Sequence, residues 1–434
     1  MRSVDTTIFG EHEQRVIDQL DRCVAQEEGS RGVLCADGHL GYSAPIGGVV
    51  AYREHVSPAA VGYDIGCGNL AVRTDLREEE ILPVLPALMD RIYSEVSFGV
   101  GRRDGNAADH PVIDAIREAD FDPQRALAGD AAKQLGTVGA GNHYVDLFAG
   151  EDGSVWVGVH FGSRGFGHLT ASGFLALAKG MPFESRAPEG EMEAPPDVLR
   201  VDTDLGQSYL SAMELAGEYA HAGREVVVEQ VLAILGARAL DTVHNHHNYA
   251  WLEEHEGEGF YVVRKGATPA FPGQRGFVGA TMGEPAVILE GVDTPRAAQA
   301  LHSTVHGAGR AMSRTAAAGR RRKRWACVVP GCGWVQPPRT PKPRDARCPA
   351  CGGGRLTKRW VQEAPGAIDW KAARRELREL GIELRGGAAD EAPGAYKRLG
   401  EVLAAHEGTV KVLHELRPLG VAMAGPETLD PWKD

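Results

Sequence analysis

The chain has 434 residues, of which 43% are hydrophobic, 24% charged and 6% aromatic. This composition predicts a globular protein of roughly one to three domains and excludes intrinsic disorder, a collagen-like repeat and a small disulfide-stapled fold. No stretch approaches the roughly 18 uninterrupted apolar residues of a membrane helix, and residues 1–20 lack the basic and then apolar layout of a signal peptide. We therefore expect a cytoplasmic protein with no membrane partner.

The spacing of apolar residues predicts helices over 11–28 and 77–97, and one or two long helices over 206–240. Residues 186–199, rich in Pro and Glu, predict a surface loop. β-Rich runs between the helices predict strands at GGVVAYR (47–53), NLAVRTD (69–75), VWVGVHF (155–161), GFYVVRKG (259–266) and PAVILEG (285–291). The two kinds of element do not alternate regularly enough for a doubly wound sheet, so an α+β fold is expected.

Positive charge is concentrated in the segment 320–360. The segment contains twelve Lys and Arg residues and one acid, Asp345, so its net charge is +11 and the rest of the chain carries −23. Such an asymmetry predicts a polyanionic partner that binds at one place. The alternative is a solvated, charged loop with no partner.

Four of the seven cysteines also lie in this segment, in the pairs CVVPGCG and CPACG: Cys327, Cys332, Cys348 and Cys351. Fifteen residues, 333–347, separate the pairs, a spacing that predicts a zinc ribbon with one tetrahedral Zn²⁺. Metal binding would supply folding energy that so short an insert cannot obtain from a core. The ribbon could be only a structural staple, or a phosphate-binding and base-stacking surface that uses its Arg and Lys residues and Trp325, Trp334 and Trp360.

Beyond the insert, helical periodicity resumes in WKAARRELRELGIEL (370–384) and EVLAAHEGTVKVLHELRPLG (401–420). We interpret 361–434 as a continuation of the domain that begins in 1–319 and that the insert 320–360 interrupts. A separate small C-terminal domain is the alternative.

Five short stretches combine Gly or Asn with side chains that bind metals: DGHLG (37–41), YDIGCG (63–68), GAGNHYVD (139–146), VHFGSRG (159–165) and HNHHNYA (244–250). A single histidine is more readily explained by the core or the surface. Five such stretches together predict a divalent transition metal held by side chains that are each presented from a turn. Asp64 and Cys67 lie three residues apart and can point to one centre, although Cys67 could instead be a small buried apolar residue.

A sixth stretch, STVHGAGRAMSR (303–314), places His306 before small residues and Arg310. Small residues let a phosphate approach the backbone, and a guanidinium can bind it with two hydrogen bonds. A neutral imidazole beside such a pocket can attack phosphorus and hold a nucleotide covalently. The alternative is a helix start that His306 caps.

In this order, the motifs resemble those of the RtcB-type RNA ligases. The resemblance covers about Asp37 to Gly425, apart from the insert, and includes DGHLGYSAPIGG, YDIGCG, LGTVGAGNHYVD, HFGSRGFGH, HNYAWLEEH, RKGATPAFPG, HGAGRAMSR, EAPGAYK and RPLGVA. It implies a single catalytic domain of mixed sheets and helices. It also implies a ligase that uses GTP and two Mn²⁺ to join RNA 3′-phosphate or 2′,3′-cyclic phosphate ends to 5′-hydroxyl ends, in tRNA splicing or RNA repair. Cleaved tRNA or rRNA fragments are the expected substrates, and an activating protein is a possible partner.

The resemblance also implies a role for individual residues. His306 would carry the guanylate. One Mn²⁺ would be bound by Asp64, Cys67 and His143 and the second by Cys67, His160 and His247, with His246 as the alternative to His247. Residues placed for the nucleotide are Asn142, Tyr144, Asp146, Thr281, Met282, Gly307, Ala308, Gly309 and Arg310, and residues placed for RNA or triphosphate oxygens are Arg164 and Lys265.

Three positions depart from the family pattern. Met423 stands where a lysine usually contacts the nucleotide, Asp146 where a glutamate usually recognises guanine, and Ala286 where a serine is expected. These differences predict weaker GTP binding or a relaxed choice of base. Two other classes of function stay open: a dinuclear metal phosphohydrolase that uses the same ligands, and a catalytically weak RNA-binding subunit of a repair complex.

Overall fold

The computed structural model describes residues 5–101, 108–187, 191–341, 347–425 and 428. Its helices are α1 (Gln14–Val24), α2 (Pro58–Val61), α3 (Glu78–Ile81), α4 (Leu85–Glu95), α5 (Pro111–Glu118), α6 (Asp122–Arg125), α7 (Ala128–Gln134), α8 (Arg164–Ala178), α9 (Asp204–Leu235), α10 (Pro295–Gln299), α11 (Arg314–Ala318), α12 (Trp370–Glu379) and α13 (Leu399–Ala405). None of the helices in these ranges is long and apolar enough to cross a membrane.

The strands are β1 (Asp5–Ile8), β2 (Arg31–His39), β3 (Ile46–Tyr52), β4 (His55–Val56), β5 (Gly68–Arg77), β6 (Ser97–Phe98), β7 (Thr137–Val138), β8 (Tyr144–Gly150), β9 (Ser154–Phe161), β10 (Leu199–Arg200), β11 (Ala239–His246), β12 (Asn248–His255), β13 (Glu258–Lys265), β14 (Ala267–Pro269), β15 (Arg275–Val278), β16 (Ala286–Gly291), β17 (Ser303–Val305), β18 (Arg320–Cys327), β19 (Leu356–Ala364), β20 (Glu383–Arg385) and β21 (Val410–Met423). This mixture of helices and largely antiparallel strands confirms the α+β prediction, and each of the five predicted strands is present.

Two large sheets organise the fold. One has the strand order β1-β2-β3-β13-β12, and the other β11-β5-β9-β8-β21-β16-β15 with β20 paired to β21. His247 alone separates β11, in the second sheet, from β12, in the first. The chain therefore passes from one sheet to the other at a single residue, and polar side chains from both sheets can meet there.

The long helix α9 packs on one face of the second sheet. Val227, Val228 and Val231 lie in a buried cluster with apolar side chains of β5, β8 and β9. The helix begins at a Thr203 cap, whose hydroxyl accepts the Gly206 N–H, and it ends at Gly236 in the left-handed conformation. Of the two possibilities for 206–240, a single helix is therefore correct.

The prediction of a helix over 401–420 is wrong beyond residue 405. Residues Val410–Met423 form β21, which pairs with β8 on one side and β16 on the other. The apolar residues Val410, Leu413 and Leu416 have helical spacing, but the first half of the strand pairs with β16 and the second half with β8 and β20, and this pairing overrides that local preference. The predicted loop 186–199 lies partly outside the described residues, and Leu199 begins β10, which pairs with β4.

Candidate active site

Two groups of potential metal ligands share the sulfur of Cys67. The first contains Asp64, Cys67 and His143 and the second Cys67, His160 and His247, and the ligand atoms of each group lie within 4.8 Å of one another. The structure therefore brings together all five residues predicted to bind Mn²⁺. His160 lies within β9, so the expectation that each side chain is presented from a turn is wrong for this residue.

The sulfur–nitrogen distances within the two groups match those between ligands of one ion, and the Asp64–His143 distance is that of a hydrogen bond. Cys67 Sγ lies 3.7 Å from His143 Nε2 and 3.8 Å from His160 Nε2, and Asp64 Oδ2 lies 3.0 Å from His143 Nε2. A tetrahedral ion with bonds of about 2.3 Å to sulfur and about 2.1 Å to nitrogen would separate S and N by about 3.6 Å. The geometry thus fits two ions that share one thiolate.

The chemistry of the donors fits divalent transition metals. Burial, with the charges of neighbouring histidines, lowers the pKa of His160 and of His247 well below the ordinary value, so both imidazoles are neutral ligands near pH 7. Burial would raise the pKa of Asp64, but the hydrogen bond and charge of His143 outweigh it and lower that pKa to about 2. Burial and the Asp64 carboxylate raise the pKa of Cys67, so a cation would be needed to hold its thiolate. Buried Nδ1 of His247 has no hydrogen-bond partner among the described residues, so this nitrogen is available to a ligand.

Two residues that sequence analysis missed hold this cluster in place. Asn69 Oδ1 accepts a hydrogen bond from His160 Nδ1 at 2.7 Å, which directs Nε2 towards Cys67. Arg224, fully buried on α9, donates to the carbonyl oxygens of Gly66 at 2.8 Å and Phe161 at 2.7 Å. The guanidinium thereby ties the loop that carries Cys67 to the end of β9.

The two neighbouring histidines of HNHHNYA, His246 and His247, have different surroundings. His246 Nδ1 lies 2.9 Å from the Gly66 carbonyl oxygen and 3.0 Å from the Arg224 guanidinium. The His247 ring lies instead 5.1 Å from the His160 ring, measured between centroids. The preference for His247 over His246 as the ligand is therefore consistent with the geometry.

His306 follows β17 and faces the metal-ligand cluster, with its ring centroid 4.9 Å from that of His247. Asp37 Oδ2 accepts hydrogen bonds from the His306 ring Nδ1 at 2.6 Å and from its backbone N–H at 3.0 Å. Burial would raise the pKa of Asp37, but the charge and hydrogen bonds of His306 hold it below the ordinary value. An ionised carboxylate only accepts, so Nδ1 is the ring nitrogen that donates to Asp37.

A cavity of about 770 Å³ opens beside His306. This volume lies in the range of small-molecule and cofactor sites. The cavity is lined by His160, His306 and all nine residues predicted to bind the nucleotide: Asn142, Tyr144, Asp146, Thr281, Met282, Gly307, Ala308, Gly309 and Arg310. Gly309 has φ +72°, and a Cβ there would lie 2.2 Å from the Asp37 carbonyl oxygen, so a larger residue would displace the turn.

Three buried polar atoms of the cavity wall have no hydrogen-bond partner among the described residues. They are Tyr144 Oη, Asp146 Oδ1 and Thr281 Oγ1. Burial raises the pKa of Asp146 well above the ordinary value. Because an unsatisfied buried polar group costs about 1–3 kcal/mol, such a set indicates a polar ligand.

An apolar cluster forms the adjoining wall, where the family resemblance leads one to expect a lysine. Met423 is 5% exposed and packs with Met282, Val421, Leu377 and Ile382. This apolar wall can contact the face of an uncharged ring. It contributes no cation.

Arg310 lines the cavity and is held by several contacts, among them an ion pair with the buried Glu391 at 3.6 Å. Its guanidinium donates to the carbonyl oxygen of Asp390 at 2.7 Å and to the Tyr396 hydroxyl at 3.0 Å, and it lies 4.8 Å from the centroid of the Tyr396 ring. These contacts fix its position before any anion binds, which reduces the entropy lost on binding.

The two cations predicted to contact RNA are bonded to the backbone. Arg164 donates to the Gly99 carbonyl oxygen at 3.0 Å. Lys265 is 7% exposed and donates to the carbonyl oxygens of Tyr42 at 3.0 Å and Ala59 at 3.1 Å. Both contacts position loops near the site, and the RNA contacts stay predictions.

The four cysteines of the insert also meet in one cluster, with all sulfurs within 4.8 Å of one another. The Sγ atoms of Cys327 and Cys351 are 3.7 Å apart, and those of Cys332 and Cys348 are 3.6 Å apart. Four bonds of about 2.3 Å to a tetrahedral ion would give about 3.8 Å, whereas a disulfide requires about 2.05 Å. Backbone N–H groups that point at Cys351 lower its pKa to about 7, whereas burial and the neighbouring thiols raise the pKa of Cys327 and of Cys332, so a cation would be needed to hold all four as thiolates.

Paired metal-ligand groups beside a histidine and a cavity large enough for a small molecule are typical of enzymes that transfer phosphoryl or nucleotidyl groups. The family model described as "tRNA-splicing ligase RtcB" matches residues 23–124 and 114–326. The chain belongs to the RtcB family.

Three relatives with RtcB names extend the match. The "RNA-splicing ligase RtcB" of Escherichia coli is 34% identical over 65% of this chain and 74% of its own length. The "tRNA-splicing ligase RtcB" of Thermococcus kodakarensis is 30% identical over 90% and 87%, and the "RNA-splicing ligase RtcB" of Mycobacterium bovis is 30% identical over 88% and 94%.

Proposed function

We propose that this protein is a GTP- and Mn²⁺-dependent RNA ligase that joins 3′-phosphate or 2′,3′-cyclic phosphate ends to 5′-hydroxyl ends through a guanylylated His306. The observation that carries the proposal is the position of His306. Its ring adjoins the metal-ligand cluster at His247 and lines the cavity that contains every residue predicted to bind the nucleotide.

In the first step, His306 Nε2 attacks the α-phosphorus of GTP. An N–P bond forms, the bond between the α-phosphorus and the bridging oxygen breaks, and pyrophosphate leaves. Asp37 holds the Nδ1 proton, stabilises the positive charge that develops on the ring and keeps Nε2 directed into the cavity. Bound divalent metals would supply charge compensation on the phosphate oxygens, with Asp64, Cys67, His143, His160 and His247 as ligands.

In the second step, an oxygen of the RNA 3′-phosphate attacks the same phosphorus, the N–P bond breaks and His306 is regenerated. The RNA 5′-hydroxyl then attacks the activated 3′-phosphate, the phosphodiester forms and GMP leaves with the displaced oxygen. A cyclic phosphate must first be opened by water to give the 3′-phosphate. In the joining step the protein orients the two RNA ends. Such orientation can account for a large part of the reduction in the reaction barrier.

A ligation assay with defined RNA ends tests this function. The purified protein is given GTP, Mn²⁺ and a nicked tRNA stem-loop whose break has 3′-phosphate and 5′-hydroxyl ends, and a matched nick has 3′-hydroxyl and 5′-phosphate ends. We expect joining of the first pair only, with GMP released. Release of inorganic phosphate without joining would instead identify a phosphohydrolase, and RNA binding without either product a binding subunit.

Replacing Asp37 with asparagine should slow guanylylation of His306 by between about a hundred and ten thousandfold, because the amide can no longer hold the ring as a carboxylate does. The KM for GTP should change little, since Asp37 is 0% exposed and directs the imidazole from behind. Rapid-quench measurement of the labelled intermediate checks this. An unchanged rate would show that Asp37 has no positioning role.

Replacing Asp146 with glutamate should raise the preference for GTP over ATP by about tenfold, because a longer carboxylate can reach the hydrogen-bonding edge of guanine. Isothermal titration of both nucleotides against the two proteins measures the ratio. An equal GTP-to-ATP ratio in the two proteins would contradict a role for this residue in base choice.

We also propose that Cys327, Cys332, Cys348 and Cys351 bind one structural Zn²⁺. The support is the spacing of their sulfurs. Elemental analysis should find one zinc per chain, and Cys348→Ser should release it.

A further inference from the structure

Strands β18 and β19 form a hairpin within the insert, and alternate side chains of each strand point to opposite faces. Lys323 pairs with Trp360 and Trp325 with Lys358, directly across the hairpin. Together with Arg321, these four residues form what we call the lysine–tryptophan face. The register thus alternates cations and indole rings along one surface.

The opposite face of the hairpin is partly neutralised. Arg320, Arg322 and Arg324 all lie within ion-pair distance of Glu363, the first two at 3.5 and 3.9 Å. A single carboxylate therefore engages three of the four arginines on this side, which we call the glutamate face, and the fourth, Arg359, lies across from Arg324.

On the lysine–tryptophan face each ammonium lies against an indole. Lys323 Nζ is 5.3 Å from the centroid of the Trp360 ring, and Lys358 Nζ is 5.6 Å from that of Trp325. Trp360 is 43% exposed, and Arg321, Lys323 and Lys358 are exposed. Within the described ranges, no carboxylate lies within salt-bridge distance of these three cations. The face therefore presents exposed positive charge beside an exposed aromatic ring.

We infer that the lysine–tryptophan face binds single-stranded RNA next to the ends to be joined, an inference that rests on the proposed ligase function. A base can stack on Trp360 while the lysine released from that ring pairs with a phosphate of the same strand, since bases stack on aromatic side chains and cations follow the backbone. The charge distribution favours this place, because the insert carries +11 and the rest of the chain −23.

Two double variants separate this face from charge in general. Lys323→Gln with Lys358→Gln removes two cations from the lysine–tryptophan face, and Arg320→Gln with Arg322→Gln removes two from the glutamate face. Fluorescence anisotropy of a labelled oligouridylate with a 3′-phosphate is measured over a series of KCl concentrations. The lysine variant should reduce the slope of log K against log salt by about 1.4 relative to wild type, and the arginine control by clearly less.

A third variant tests stacking. Trp360→Ala should weaken binding of the oligouridylate on the order of tenfold, with Trp334→Ala as the control outside the face. Zinc content, measured for every variant, verifies that the four-cysteine cluster is retained.

If the lysine variant binds the oligouridylate with the affinity and salt slope of wild type, the inference is wrong. The face would then be a binding surface for an acidic protein. GTP-dependent self-labelling is measured in the same variants and should be unchanged, because His306 lies outside the hairpin. Absence of that label in wild type, with RNA binding lost in the lysine variant, would contradict the ligase function and not the RNA-binding face.

Discussion

Replacing His306 with alanine is expected to abolish both RNA joining and the covalent guanylate. No described side chain other than His306 combines a ring nitrogen lone pair with a carboxylate that fixes the opposite nitrogen in this cavity. In other enzymes, loss of the catalytic nucleophile reduces turnover on the order of a millionfold. The ligation product should therefore fall below detection. Gel assays with α-labelled GTP and with nicked RNA measure the two losses separately.

The control for this variant is His414→Ala. His414 lies on β21 with a side chain 51% exposed and far along the strand from the cavity-lining end at Met423. The control should retain full labelling and ligation. Labelling of the His306 variant at the wild-type level would exclude a histidine intermediate at this position.

Replacing Cys67 with alanine is expected to remove both metal sites at once. The thiol belongs to both ligand groups, so each ion would lose one of three protein ligands. Loss of an outer partner of a metal ligand already costs about 10–100-fold in affinity, so loss of the shared ligand should weaken Mn²⁺ binding at least about a hundredfold. Isothermal titration of Mn²⁺ into the metal-free protein reads this out independently of catalysis, and ligation should disappear with it.

Cys23→Ala is the matched control, since Cys23 is equally buried but belongs to neither group. It should bind Mn²⁺ with wild-type affinity, although it loses some stability through the missing sulfur. Wild-type Mn²⁺ stoichiometry in the Cys67 variant would contradict a bridging thiolate.

The candidate site could be predicted from sequence because its residues sit in short motifs that differ from their surroundings. Asp64 and Cys67 share one turn, His143 follows Asn142, His306 precedes Gly307, and His160 lies two residues before Gly162. These motifs predict a metal site, whereas the ligand pairing and the nucleotide-binding residues are predicted only through the family resemblance.

The contacts that orient the site could not be predicted in the same way. Asp37 lies in DGHLG, a stretch for which the sequence predicts metal binding, but it contacts His306 instead. Asp37 meets His306 across 269 positions, and Asn69 meets His160 across 91. Arg224 lies inside an apolar helical pattern and gives no local sign of its contacts with Gly66. Partners that the tertiary fold brings together have no fixed spacing in sequence.

The C-terminal strand shows the limit of periodicity. Residues 410–420 have apolar positions three apart, yet β21 pairs with β8 and β16 over its length and tolerates an irregular register at Pro418–Gly420. Sheet pairing between distant segments decided the structure of this segment, as it often does where local preference is weak.

The most direct test of the account is to locate the guanylate on the protein. The wild-type chain is incubated with GTP and Mn²⁺, digested at alkaline pH and analysed by tandem mass spectrometry. The account predicts a guanylate on His306. A guanylate on Lys397, the lysine that also lines the cavity, would contradict it.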